Sequence, residues 1–187
     1  MKIQKITLFE KWIYASVPLI LVMSVPLVFI YELTGNPEVI APFVPINRSL
    51  WELLKSVFYP TLVFWAAAYF ASYKLKITKS AAMVGAALSA GISPFLTAGL
   101  YYFYICAFGI HSEVIDFVLV VMAVMIGQFF AHLVCCYICP SKKQGTLAFV
   151  AVFIMVAVVI ICTYNPPRLP IFMDPENGSY SVNRLMD

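Results

Sequence analysis

The side chains in this 187-residue chain that could do chemistry are few, and they sit at distinct depths along it. Glu32, Glu52, Glu113 and Asp116 fall in two loops that also hold His111. Carboxylates grouped in this way attract a cation, or exchange protons with a histidine if the fold brings them together. His111 and Asp116 by themselves are too few for a tetrahedral metal, so no metal site is expected there unless the two loops meet. Gln128 stands inside an apolar run, with His132 one helical turn further along the same face. A polar group at that depth is costly unless it faces protein or a cavity. Gln128 therefore either ties two helices together by a hydrogen bond or contacts a solute or proton. His132 titrates near neutrality if wet, and is otherwise a hydrogen-bonded structural residue. Cys135, Cys136 and Cys139 close the same run and read first as reduced thiols, because the soluble strand-helix setting of redox Cys-x-x-Cys pairs is missing. Cys106 and Cys162 fall near the outer ends of two runs, where a disulfide is an open alternative in an oxidising exterior.

Five uncharged runs must position these groups: Trp12 to Tyr31, Ser56 to Tyr73, Ser80 to Ile110, Phe117 to Cys139 and Thr146 to Pro167. At ~1.5 Å per residue each is long enough to cross a ~30 Å hydrocarbon core. The expectation is an all-α polytopic membrane protein with five transmembrane helices, spanning about 12–31, 56–73, 80–106, 117–139 and 146–164. Residues 36–55 form an outer interfacial segment and 165–187 an outer tail, within one membrane domain covering 1–187. With the amino terminus inside and the carboxyl terminus outside, Lys2, Lys5, Lys11, Lys74, Lys76, Lys79, Lys142 and Lys143 all lie inside, while every acid except Glu10 lies outside. That separation follows the positive-inside pattern. With 63% apolar and 11% charged residues, a water-soluble domain is excluded. The first run has a basic start but no small-residue cleavage site, and reads as a retained signal-anchor of a multi-pass cell-membrane protein. The net charge of +3 resides in the inside loops, where lysines meet anionic lipid heads, so the bilayer is the partner and no nucleic acid is called for.

The outer loop is broken by Pro37, Pro42 and Pro45, and a helix restarts at Asn47 or Ser49 with Asn47 as its N-cap. Glu52 then falls in the early turns, which suit a carboxylate, and Trp51 at headgroup depth. Arg48, Glu52 and Lys55 make either an interfacial charged collar or a functional mouth. In the third run Ala82, Gly85, Ala86, Ser89, Ala90, Ser93 and Thr97 recur every three or four positions, marking the most enclosed helix. Pro94 near its middle can kink it, for packing or to line a site. Tyr101, Tyr102, Phe103 and Tyr104 read first as an outer aromatic belt, with Tyr104 or Tyr101 able to close over a ligand. The tail is rich in proline yet carries Leu169, Ile171, Phe172 and Tyr180, so it should fold back over the outer mouth.

Three stretches carry a resemblance: Asn47-Arg-Ser-Leu-Trp51-Glu52-Leu-Leu-Lys55, His111 through Asp116, and Pro166-Pro-Arg-Leu-Pro-Ile-Phe-Met-Asp174-Pro with Gly178 and Tyr180. They are similar to the signature blocks of a family of small, uncharacterised multi-span membrane proteins of Gram-positive, mostly anaerobic bacteria. The resemblance implies Asn47, Ser49, Trp51, Glu52, His111 and Asp116 as shared outer-side positions and supplies no activity. This chain departs from it at Arg48, where the family has an acid, and at Leu53, where it has a histidine. Both departures weaken an inherited metal or acid-base site.

No nucleotide-phosphate loop, serine elbow, haem pair or zinc helix motif is present, so neither ATP hydrolysis nor a cofactor is expected. The favoured reading is binding or transport of a cation or small polar solute. In it Glu52 and Asp116 attract the solute, Gln128 hydrogen-bonds it, and His111, Asn47, Trp51 and Tyr104 shape the mouth. An enzyme with His111, Asp116 and Glu52 as acid-base or metal groups is the less favoured alternative. A third is a noncatalytic accessory subunit or lipid-binding scaffold, in a homo-oligomer or a larger membrane complex.

Overall fold

The computed structural model describes residues 7–35, 37–110, 112–175, 178 and 180, and of Glu113 the backbone alone. Among the described residues every element is helical: α1 (Leu8–Leu33), α2 (Leu50–Phe70), α3 (Ser72–Leu75), α4 (Lys79–Phe108), α5 (Glu113–Leu133) and α6 (Lys142–Tyr164). Val134–Ile138 extends α5 by a π-helical turn, and Pro170–Phe172 forms a 3-10 turn. Five helices are long and apolar enough to cross a membrane, with α5 and its π turn acting as one span.

The starts of these helices follow from hydroxyl caps. Thr7, Ser49, Thr78 and Ser141 each accept a backbone N–H of the following first turn, meeting donors that a helix leaves free. At α2 this corrects the expected cap: Ser49, not Asn47, holds that position, and the Asn47 Oδ1 accepts from the Ser49 N–H at 2.9 Å in a turn just before it. Helix α2 therefore starts well before the uncharged run does. Residues 50–55 form the first turns of α2, where Glu52 and Lys55 pair one turn apart. The proposed Cys106–Cys162 bridge is also absent: both thiols are free, Cys106 being exposed while Tyr104 is the residue that turns inward.

Helix α4 is the centre of the bundle and packs on α2, α5 and α6, while α1 lies against α2 and α5. All seven small residues of its expected stripe are buried. Their size lets neighbouring backbones approach closely, which is how helices associate in a solvent as apolar as their own side chains. The Trp65 indole lies over Gly85, Ser93 lies against Gly127, and a Cβ built on Gly145 would stand 2.8 Å from the Ser80 Cα. The remaining apolar surface, such as Val22, Phe95 and Phe153, is exposed outward, where lipid would cover it. The two charge sets emerge at opposite ends. At the lysine-rich end Phe9 stacks on His132 at 5.8 Å and Cys135 Sγ donates to the Ala81 carbonyl at 3.2 Å. At the other end Tyr164 reaches the Glu38 carbonyl at 3.1 Å, and Trp51 packs on Phe172 at 4.7 Å, so the tail does fold back.

Replacing Gly145 by Ala should destabilise the bundle by ~1–3 kcal/mol, since the backbone of Ser80 cannot give way as a flexible side chain would. Gly99→Ala, with nothing within 4 Å, should be neutral or slightly stabilising. Thermal unfolding of the two variants in one detergent makes the comparison.

Candidate functional site

Two polar constructions lie on opposite faces of α2, the first at its outer end and the second running inward from there. The first is a latch. Glu52 is 4% exposed and Lys55 2% exposed, and they form a salt bridge. The Lys55 ammonium also donates to the Ala41 carbonyl at 2.8 Å and to Thr163 Oγ1 at 3.2 Å. All three of its protons are thereby used. Glu52 in turn accepts the Ile46 N–H at 3.0 Å, and Tyr59 donates to the Pro42 carbonyl at 2.8 Å. The proline-broken outer loop is thus held to α2 and α6 by a fully satisfied charged centre. Beneath it a cavity of about 310 Å³ opens between α2, α4 and α6, walled by Phe58, Ala90, Pro94, Met155 and Val159 and roofed by Trp51 and Ile171.

The second construction is the seam between α2, α4 and α5. On α2, Val57, Thr61 and Trp65 succeed one another at helical spacing; on α4, Thr97, Ser93 and Ser89; on α5, Asp116, Val120, Val124 and Gln128. At its outer end Tyr104 donates to Asp116 Oδ1 at 2.5 Å, and Tyr104 also receives the Ser112 N–H at 3.4 Å. A recess of about 50 Å³ lies there, lined by Val57, Thr97, Tyr101 and Asp116. Deeper in, the Trp65 indole N–H donates to Gln128 Oε1 at 3.2 Å. That bond fixes the amide orientation and turns the Gln128 Nε2 away from Trp65. Nε2 has no partner, and neither do Thr61 Oγ1 and Ser93 Oγ. Thr61 and Ser93 are 0% exposed and Gln128 is 1% exposed.

The residues named from sequence divide between these constructions. Glu52, Asn47 and Trp51 belong to the latch, and Asp116, Tyr104 and Gln128 to the seam. His111 lies outside the described residues. Glu52 and Asp116 do not meet: each has its own partner, Lys55 and the Tyr104 hydroxyl. The collar reading of Glu52 and Lys55 is overturned by their burial, while Arg48 beside them is exposed. His132 stacks on Phe9, which also packs edge-on against Trp65, and lies 3.4 Å from Cys136 Sγ. Thr61, Trp65 and Thr163 were missed. The four-residue spacing of Val57, Thr61 and Trp65 was a usable signal for two of them; nothing in sequence joins Thr163 to Lys55. Among the described residues no group of three His, Cys, Asp or Glu side chains is placed to hold a metal.

The chain matches, over residues 1–182, the model of a family described as a family of unknown function (DUF6512). That match states neither a lineage nor a membrane location; the membrane assignment rests on the five apolar helices. No curated protein and no solved structure matches the chain.

Lys55→Met should cost ~3–5 kcal/mol, because it strands a buried carboxylate. The double variant Glu52→Gln/Lys55→Met should be more stable than the single one. Unfolding of both in the same detergent measures the difference.

Proposed function

The chain belongs to this family of unknown function (DUF6512), and from its own geometry we propose that it binds, and passes through the membrane, a small polar solute held in the α2–α4–α5 seam. One observation carries the reading: three enclosed polar atoms from three different helices, Thr61 Oγ1, Ser93 Oγ and Gln128 Nε2, are left without partners. Buried polar groups are paired in the great majority of cases, because an unmet one costs ~1–3 kcal/mol. A ligand that supplies the missing bonds recovers that cost.

The chemistry of the set narrows the solute. With Oε1 taken by Trp65, Gln128 offers two N–H donors, and the hydroxyls of Thr61 and Ser93 can donate or accept. A bare cation would be repelled by the amide hydrogens. The carboxylate of Asp116 at the outer recess disfavours an anion. A neutral solute with at least one acceptor, of the size of urea or glycerol, satisfies both ends. Tyr101 and Tyr104 frame its entrance, and Thr97 lies on the way from the recess to Ser93.

Thr61→Val should raise stability by ~1 kcal/mol, because it removes an unpartnered buried hydroxyl. Gln128→Leu should lower permeation of the preferred solute about tenfold or more, as expected of a site built to hydrogen-bond its substrate. Light-scattering traces from proteoliposomes challenged with urea, glycerol and rubidium salts read out the second effect. Solute entry no faster than in empty vesicles, or unchanged by Gln128→Leu, would refute the reading.

A further inference from the structure

The face where α2, α4 and α6 meet carries a larger depression at the lysine-rich end, about 690 Å³ in volume. Its walls are Leu62, Phe70, Met83, Phe149 and Val152. Its rim at the inner end holds Lys79 and Lys142, with Ser80 and Thr146 beside them. We propose that this groove binds one acidic phospholipid of the lysine-rich leaflet, its phosphate between Lys79 and Lys142 and an acyl chain along the apolar walls.

Charge complementarity supports that occupant. No carboxylate lines the groove, and among the described residues neither lysine forms an ion pair. Lys79, an exposed residue, places its ammonium 5.2 Å from the Tyr69 ring centroid, a contact that helps orient it on the rim. Both lysines also begin helices, α4 and α6, whose first turns touch through Gly145 and Ser80. The positive ends of two helices therefore converge on the rim and add to the lysine charge.

Shape separates a lipid from a free anion. From Lys142 to Val152 the groove follows α6 for ten residues, about 15 Å at 1.5 Å per residue, or half of a ~30 Å core. That is the depth of one leaflet. Phe70 is 83% exposed and Phe149 58%, so the groove opens sideways, where an acyl chain can enter from the bilayer. Lys74 and Lys143 are at the same end of the molecule and are exposed, but they do not line the groove.

Native mass spectrometry of the full chain in detergent, titrated with phosphatidylglycerol or phosphatidylcholine, tests this. One phosphatidylglycerol should bind in preference, and Lys79→Gln/Lys142→Gln should weaken it by about tenfold or more. Lys74→Gln/Lys143→Gln, with the same net charge, should change it less than about twofold. Ala66→Phe, a substitution at an exposed position on the groove lining, should also weaken binding without altering charge. Equal losses in the two lysine pairs would reduce the effect to diffuse surface attraction and overturn the proposal. So would displacement of the lipid by glycerol phosphate lacking acyl chains, or no effect of Ala66→Phe.

Discussion

Apolar helices dissolved in hydrocarbon gain nothing from hiding apolar area from one another, so they associate only where their backbones come close enough for dispersion and hydrogen bonds to act. In this chain that closeness is concentrated on α4. Its alanines, serines and Gly85 let α2 lay the Trp65 indole directly on its backbone, and Gly127 of α5 admits Ser93 in the reverse direction. Once those approaches are made, the rest of the architecture has little freedom. Trp65 can reach Gln128 because Gly85 offers it no side chain to climb over. On the α6 side, α6 approaches α4 closely at Gly145 and Ser80, and the larger groove opens beside that contact.

The Glu52–Lys55 pair solves a different problem. A loop broken by Pro37, Pro42 and Pro45 meets only part of its own backbone, through turns such as the Ile40 N–H to the Pro37 carbonyl at 3.2 Å, and polar backbone left near the hydrocarbon is expensive. Lys55 answers the Ala41 carbonyl, Glu52 the Ile46 N–H, and Tyr59 the Pro42 carbonyl. The pair is thus better understood as the anchor of an outer cap than as a trap for solute. Its charges cancel locally and leave Asp116 as the acid that lines the recess of the seam.

Much of this was readable from the residues because the membrane enforces simple rules. Uncharged runs located the spans, lysines located one end, and the Ala82 to Thr97 stripe located the central helix. Gln128 stood out because an amide at that depth must bond something. What the sequence withheld depends on pairing across helices. Glu52 and Lys55 are three residues apart, a spacing that fits an exposed collar equally well, and only the Thr163 hydroxyl and the Ala41 carbonyl closing over them make the pair internal. Asn47 and Ser49 are both good caps, and the choice between them turned on a local turn in which one bonds the other. Thr61 was hidden because a lone threonine in a helix normally bonds its own preceding turn and carries no message.

That last point bears on how the seam should be understood. A serine or threonine inside a helix always has a carbonyl one turn back to bond, so a buried hydroxyl need never be left unmet. Ser89 uses the Gly85 carbonyl at 2.8 Å, Thr97 the Ser93 carbonyl at 2.8 Å, and Thr163 the Val159 carbonyl at 2.8 Å. Ser93 lies between Ser89 and Thr97 on the same helix face, yet its hydroxyl turns toward Gly127 of α5 instead of its own backbone. Thr61 likewise makes no bond to its preceding turn. The unmet groups are thus hydroxyls that forgo a bond their neighbours make. The helices that forgo it face the same seam as the unmatched Gln128 amide, and a solute offering both an acceptor and a donor would replace what each has given up.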